Sequence, residues 1–463
     1  MNAPTDKSSP DQLRAAILRR WVIPFRAGAL TRRWPWMADT LGGRDRVQLA
    51  ACALLFAGGA TADFRVLAVY RSLQLSDVFI VGAGLMCAPV LFRRLAASDL
   101  PTPRTRRMLA GMLALALAYL ASTALSSAIA GPTWDAADTW LLFALLMLGI
   151  APAVTVSTAT RDGALWLVGG LLVGAFIGIA GMIGQVLSSV PLYGARLDGL
   201  FRSDPYFLII AACGIVLAHL AREVQVRELR RRDVLAAHAL FLILAVVALG
   251  YSRSRSSWVS LAVLGVAAAV VLAPGKRIVA ITALSLALAG FAAYELSVLP
   301  GPIEARITQT LSVDDPATQQ RLEVIDVLMS EWVHQPWGVG LNESSSYVPA
   351  YLVVGHTGQI HHVVLHALVE GGPLAALAIL LFPFLLTAFL RRHGPDAREH
   401  AEWLYAWPVP VVWALFASGQ FTPSLYQHTA WICIGAAMGG VLRTELGRSA
   451  ENSRAGHQRT DAD

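Results

Sequence analysis

The chain has 463 residues, 56% hydrophobic and only 15% charged, with a mean hydropathy of +0.55. Those values exclude a soluble globular domain and indicate an all-α polytopic membrane protein. The net charge of +6 lies mostly at the edges of apolar runs, so it reports orientation and contact with anionic membrane lipids, not a nucleic-acid partner.

Residues 1–46 are polar and basic, with Arg14, Arg19, Arg20, Arg26, Arg32 and Arg33 beside Trp21, Trp34 and Trp36. There is no apolar core near the start to suggest a secretory signal, and an interfacial segment on the cytoplasmic face is expected. About twelve transmembrane helices follow. Nine fall within residues 47–296: near Val47–Ala62, Val78–Leu91, Met108–Ile129, Trp140–Val156, Ala164–Leu187, Pro205–Leu220, Val234–Leu249, Trp258–Leu272 and Ile278–Leu296. Residues 297–362 form one long external loop. The last three helices, near Val363–Leu390, Leu404–Phe416 and Thr429–Val441, occupy 363–443, and 444–463 is a cytoplasmic tail. Alternation at period two is absent, which argues against a β-barrel. Cys52, Cys87, Cys213 and Cys433 all lie inside apolar runs and read as small packing residues, not as a disulfide or zinc framework.

With both termini inside, 29 of the 37 Lys and Arg residues fall on the inner side, as the positive-inside rule requires. The eight left outside are Arg65, Arg71, Arg196, Arg202, Arg253, Arg255, Arg306 and Arg321. Because the rule depletes arginine outside, these few call for a reason, and an anionic ligand supplies one. Arg196 and Arg202 share one loop, Arg196-Leu-Asp-Gly-Leu-Phe-Arg-Ser-Asp-Pro205. Arg253 and Arg255 share another, Tyr251-Ser-Arg-Ser-Arg-Ser-Ser-Trp258, short enough to hold both at the membrane surface beside serine donors. Guanidinium groups there suit a diphosphate at headgroup level, although arginines at helix ends also snorkel or cap carbonyls.

The long loop predicts two short amphipathic helices. Ile303, Ile307 and Leu311 are spaced by four, and Leu322, Ile325, Leu328, Met329 and Trp332 continue a helical pattern to a stop at His334-Gln-Pro336. Trp337-Gly-Val-Gly-Leu-Asn342 then forms a glycine turn at Gly338 and Gly340 that could bring backbone close to a ligand; a lid resting on the bilayer is the plainer reading.

The loop re-enters the membrane at His361-His-Val-Val-Leu-His-Ala-Leu-Val-Glu-Gly-Gly372. On a helix His361, Leu365, Leu368 and Gly372 share a face, so an imidazole tops an apolar stripe at the water–lipid boundary, where a base could act on a lipid-borne substrate. His362 reads as a polar rim residue. Glu370, beside Gly371-Gly372-Pro373, is expected at a helix irregularity, bonded to backbone or to an arginine, with a structural and a catalytic role equally open. A zinc site from His361, His362 and His366 is a minor alternative, since Glu370 is the only acid nearby.

These pieces together resemble the O-antigen ligase and Wzy-type polysaccharide polymerase superfamily of bacterial inner-membrane glycosyltransferases. The resemblance rests on Arg196-x-x-Gly-x-Phe…Asp-Pro, Ser254-Arg-Ser-Ser-Trp258, Arg321 followed by His334-Gln-Pro-Trp-Gly-Val-Gly340, and His361-x-x-x-Leu-x-x-Leu-x-Glu-x-Gly372. His362 replaces the usual asparagine, and Ala375 stands where a second glycine is frequent. The resemblance implies transfer of a glycan from an undecaprenyl diphosphate-linked donor to an acceptor hydroxyl, on lipid A–core or on a growing glycan, at the periplasmic face. It casts His361 as base, Arg196 and Arg255 as primary diphosphate ligands with Arg253 beside them, and Arg321 as a further ligand or loop clamp. Charge neutralisation by arginines would need no metal or other cofactor. A lipid-linked glycan flippase, or transfer to protein, are the alternatives.

Overall fold

The computed structural model describes residues 46–62, 68–70, 73–96, 102–187, 206–225, 232–251, 255–271, 316–349, 362–392, 403–419 and 427–460. The described helices are α1 (Arg46–Thr61), α2 (Leu75–Ala96), α3 (Pro103–Ala130), α4 (Trp134–Ala144) running through a π-turn (Leu145–Ile150) into α5 (Ala151–Thr158), α6 (Arg161–Leu187) and α7 (Tyr206–Gln225). Then come α8 (Arg232–Tyr251), α9 (Arg255–Val271), α10 (Pro316–His334), α11 (Val363–Arg392), α12 (Trp403–Ala406), α13 (Pro408–Ser418) and α14 (His428–Thr460). A two-stranded antiparallel ribbon, β1 (Ala68–Tyr70) with β2 (Leu73–Gln74), leads into α2.

Among the described residues, five segments are long and apolar enough to cross a membrane: Leu75–Arg93, Pro103–Ala130, Trp134–Thr158, Arg161–Gln185 and Val363–Ala388. Val47–Thr61, Tyr206–Ala221, Leu235–Leu249, Val259–Val270 and Trp403–Ser418 are shorter apolar helices in the same bundle. The expected ninth span, Ile278–Leu296, and the helix expected at Ile303–Leu311 lie outside the described residues. The helix expected at Leu322–Trp332 is α10, and it stops at His334 before Pro336. α14 runs unbroken across residue 443, where the tail was expected to begin.

Local chemistry explains the boundaries. Thr102 caps α3 ahead of Pro103, whose missing N–H costs nothing at a first helical position, and Gly131 closes the helix at φ 107°. Thr133 caps α4 by accepting from the Ala136 N–H at 3.1 Å. Helices that share an apolar solvent associate through close packing, and small residues set the spacing. A Cβ on Gly170 would stand 2.2 Å from the Phe56 carbonyl oxygen, and one on Gly435 2.5 Å from that of Ala151. Larger side chains, among them Tyr119 edge-on to Phe143 with ring centroids 5.2 Å apart, fill the interior. Leu113, Leu117 and Leu125 on α3 remain exposed, as lipid-facing residues must.

Buried polar contacts clamp the bundle at its two ends. At one end His428, starting α14, places Nε2 within 3.1 Å of both carboxylate oxygens of Asp77, which also accepts from the Gln74 N–H at 2.8 Å. At the other, Glu445 of α14 accepts from the Thr102 N–H (3.2 Å), the Thr102 hydroxyl (2.5 Å) and the Thr105 hydroxyl, while Arg443 donates to the Thr158 carbonyl at 3.1 Å. Also at that second end, His219 of α7 stacks on His238 of α8 (Nδ1···Nε2 2.9 Å) and meets Trp403 of α12 edge-on.

The Asp77–His428 contact is the more deeply enclosed of the two clamps, both side chains being at most 2% exposed. Removing one partner of such a pair costs about 3–5 kcal/mol. Asp77→Ala should therefore lower the unfolding temperature of the purified protein sharply, and Asp77→Asn, which keeps an acceptor for His428, should lower it less. Equal melting curves for Asp77→Ala and wild type would contradict the clamp.

Candidate active site

The local sequence Glu370-Gly-Gly-Pro373 breaks α11 inside a candidate span. Pro373 has no N–H to donate to the Val369 carbonyl, and Gly372 adopts φ 78°, ψ −177°. Carbonyls released inside a membrane need other donors. The Val369 oxygen accepts from the Val339 N–H at 2.8 Å. The Glu370 oxygen accepts from the Gly340 N–H at 3.2 Å and the Ser126 hydroxyl at 2.5 Å. The Gly371 oxygen accepts from the Ser122 hydroxyl at 2.6 Å.

The donors that come from the loop belong to the expected glycine turn. Gly338 and Gly340 both have φ 100°, and Asn342 has φ 63°. A Cβ at Gly338 would stand 2.5 Å from both the Glu370 carbonyl oxygen and Ser126 Oγ, so a glycine there is demanded by contact as well as by φ. The expectation was that this turn brings backbone close to a ligand; in the described structure its backbone is brought against α11 and α3.

The Glu370 side chain completes the lock from 1% exposure. Its Oε2 accepts from the Asn342 N–H at 2.9 Å, and its Oε1 from the Ser344 hydroxyl at 2.6 Å. Oε1 also lies 3.1 Å from His366 Nε2, which carries the proton because a carboxylate can only accept. Val324 and Leu328 of α10 pack with Val339, Val348 and Val369 over this polar centre. These contacts are the backbone and side-chain bonds that a structural role for Glu370 requires.

α11 begins at Val363, so His362 precedes it as the capping residue. Its Nδ1 accepts from the Leu365 N–H at 3.2 Å, and its carbonyl accepts from the His366 N–H at 2.7 Å. Asparagine is among the best residues for that task, which accounts physically for histidine standing where asparagine is usual. The Val363 N–H donates to the Gly419 carbonyl at 2.7 Å, joining the start of α11 to the end of α13.

The stacked His219, His238 and Trp403 fix where Arg255 lies. They mark one end of the bundle, and α8 runs from that end to Tyr251, four residues before Arg255. Arg255 therefore starts α9 at the opposite end, with Gly419, His362 and the glycine turn. Arg321 lies in the second turn of α10, whose far end carries that turn. For Arg255 and Arg321 only the backbone is described; Arg196, Arg253 and His361 lie outside the described residues. Sequence reasoning missed Ser122, Ser126 and Ser127. These serines and Thr123, four hydroxyls clustered near the end of an apolar span, were the available signal.

Two outcomes follow. Glu370→Ala strips the acceptor from three donors, at about 1–3 kcal/mol each. Limited proteolysis should then cut within residues 337–346 of the variant while sparing wild type, with Glu370→Gln intermediate; no new cleavage would contradict the lock. The second concerns His362, whose partial burial holds the imidazole below its usual pKa. A group with a lowered folded-state value contributes stability above its unfolded value and loses it as pH falls through the folded one. The cap, worth about 1 kcal/mol, is thus present at neutral pH and lost on acidification. Relative to wild type, His362→Asn should gain stability as pH falls, read from melting temperatures across that range; parallel curves would refute the capping role.

No curated protein matches the chain. A family model described as O-antigen ligase matches residues 240–380, which include Arg253, Arg255, Arg321, Gly338, Gly340, His361, His362 and Glu370. That match over residues 240–380 supports the O-antigen ligase/Wzy-type superfamily.

Proposed function

We infer that this membrane protein is a glycosyltransferase that moves a glycan from an undecaprenyl diphosphate-linked donor to an acceptor hydroxyl at the periplasmic face of the inner membrane. The observation that carries the reading is the O-antigen ligase match over residues 240–380, which spans every candidate site residue except Arg196. The geometry supports it: the starts of α9 and α11, the end of α13 and the glycine turn all lie at one end of the bundle.

In this reading the acceptor oxygen attacks the anomeric carbon as the bond to the diphosphate oxygen breaks. The hydroxyl proton passes to the imidazole of His361, and undecaprenyl diphosphate leaves. Arg255 and Arg196, with Arg253, neutralise the charge that grows on the leaving group, and planar two-pronged guanidinium groups suit it better than ammonium would. Arg321 is carried by α10, which the Glu370 lock holds against α11, so a ligand on the loop and the base before α11 keep a common frame. Direct displacement inverts the anomeric centre. Lipid A–core and a growing polysaccharide are the acceptors this reading favours, with a protein side chain as the alternative.

The test is transfer in vesicles containing the purified protein, lipid-linked glycan and acceptor, without nucleotide. His361→Ala should lose about two to four orders of magnitude in rate while still binding the lipid diphosphate. Arg255→Ala should lose donor binding as well, with Arg255→Lys recovering part. His362→Asn should stay near wild type. Translocation of the lipid-linked glycan with no covalent product would replace this reading with a flippase.

A further inference from the structure

The glycine turn lies deep. Its Trp337 carbonyl packs on Gly372, where an added Cβ would be 2.8 Å away, and Gly371 is level with Ser122 through their 2.6 Å hydrogen bond. Gly372 is nine residues into α11, roughly 13 Å below its start at 1.5 Å per residue. Ser122 is eight residues from the end of α3, roughly 12 Å below it. The apolar spans of these two helices, 26 and 28 residues long, exceed a hydrocarbon core of about 30 Å by roughly 10 Å, or about 5 Å on each side. Trp337 therefore falls well inside the hydrocarbon.

Two independent features agree with that depth. Irregular backbone within a bilayer must find every hydrogen bond inside the protein. From Gly338 to Glu343 every consecutive backbone N–H does so: on Gln335, Val369, Glu370 with Ser126, Ser127, the Glu370 carboxylate and Gly340 in turn. The exposed residues at the tip of α10 include the apolar Val333, Pro336 and Trp337, whereas Glu323, Asp326 and Ser330, whose hydroxyl donates back to the Val327 carbonyl, are exposed nearer its start beside Leu322. His334 at that tip bonds through Nδ1 to the Ser330 carbonyl at 2.8 Å. Val333 and Trp337 are 68% and 64% exposed, as fully as the lipid-facing Leu374 just past the kink at 51%.

We propose that the tip of α10 and the glycine turn form a re-entrant wedge whose Val333 and Trp337 side chains lie against the acyl chains of the bilayer. The loop that carries Arg321 is then anchored in the membrane rather than resting on it. This rests on the membrane spans of α3 and α11, not on the transfer chemistry, so its failure would leave the proposed reaction untouched.

The test uses the full-length protein with Cys52, Cys87, Cys213 and Cys433 replaced, and single cysteines introduced as Trp337→Cys, Val333→Cys and, for a water-facing reference, Ser346→Cys. Each is labelled with an environment-sensitive fluorophore and reconstituted in phosphatidylcholine vesicles. A nitroxide on the lipid acyl chain should quench labels at 337 and 333 and spare 346, whereas aqueous iodide should quench 346 and spare the other two. Val333→Cys keeps the test open if Trp337→Cys does not fold. Iodide quenching at 333 and 337 equal to that at 346 would overturn the wedge, and so would protection from both quenchers, which would mean that protein, not lipid, covers the tip.

Discussion

A proline inside an apolar helix leaves a carbonyl without its donor, and in this protein most of the described site follows from satisfying that one group. Pro373 and Gly372 release the oxygens of Val369, Glu370 and Gly371 where no water can be assumed. The chain answers with serines from α3 and with backbone N–H groups from a segment that must itself abandon regular structure to present them. Gly338 and Gly340 are therefore consequences of the kink, since only a backbone with φ near 100° and no side chain enters the space beside Glu370.

Glu370 shows how a charged group comes to be tolerated there. An isolated buried carboxylate is costly, and it persists only when its lone pairs are matched. Here three donors converge from two parts of the chain: a backbone N–H at 342 and a hydroxyl at 344 from the loop, and an imidazole one helical turn back at 366. The residue thus joins the loop to α11.

The helical, membrane-spanning architecture was legible because an apolar run of span length has few other outcomes. The stop of α10 at His334-Gln-Pro336 and the turn at Gly338 and Gly340 were legible too, since proline and glycine act locally. What the turn touches was not legible. Ser126 and Glu370 are 244 residues apart in sequence, and nothing in either local pattern names the other. The face drawn from His361 through Leu365 and Leu368 to Gly372 assumed one continuous helix; α11 begins at Val363, and its regular backbone is interrupted at Gly372. A period read from one stretch cannot register an irregularity that pays for itself only through contacts made elsewhere.

The lock on Glu370 also bears on the order of assembly. Its parts leave the ribosome far apart: Ser122, Ser126 and Ser127 first, then the turn more than two hundred residues later, and the carboxylate and the kink last. Contacts of such sequence separation form slowly, because the intervening chain must be ordered before they gain anything. Until α11 is in the bilayer beside α3, the N–H groups of Val339 and Asn342 have no acceptor and that of Gly340 has only Ser126. Emergence of α11 from the insertion machinery is therefore the step that commits the loop carrying α10 to its place, and a chain halted before residue 363 would present that loop without its partner helix.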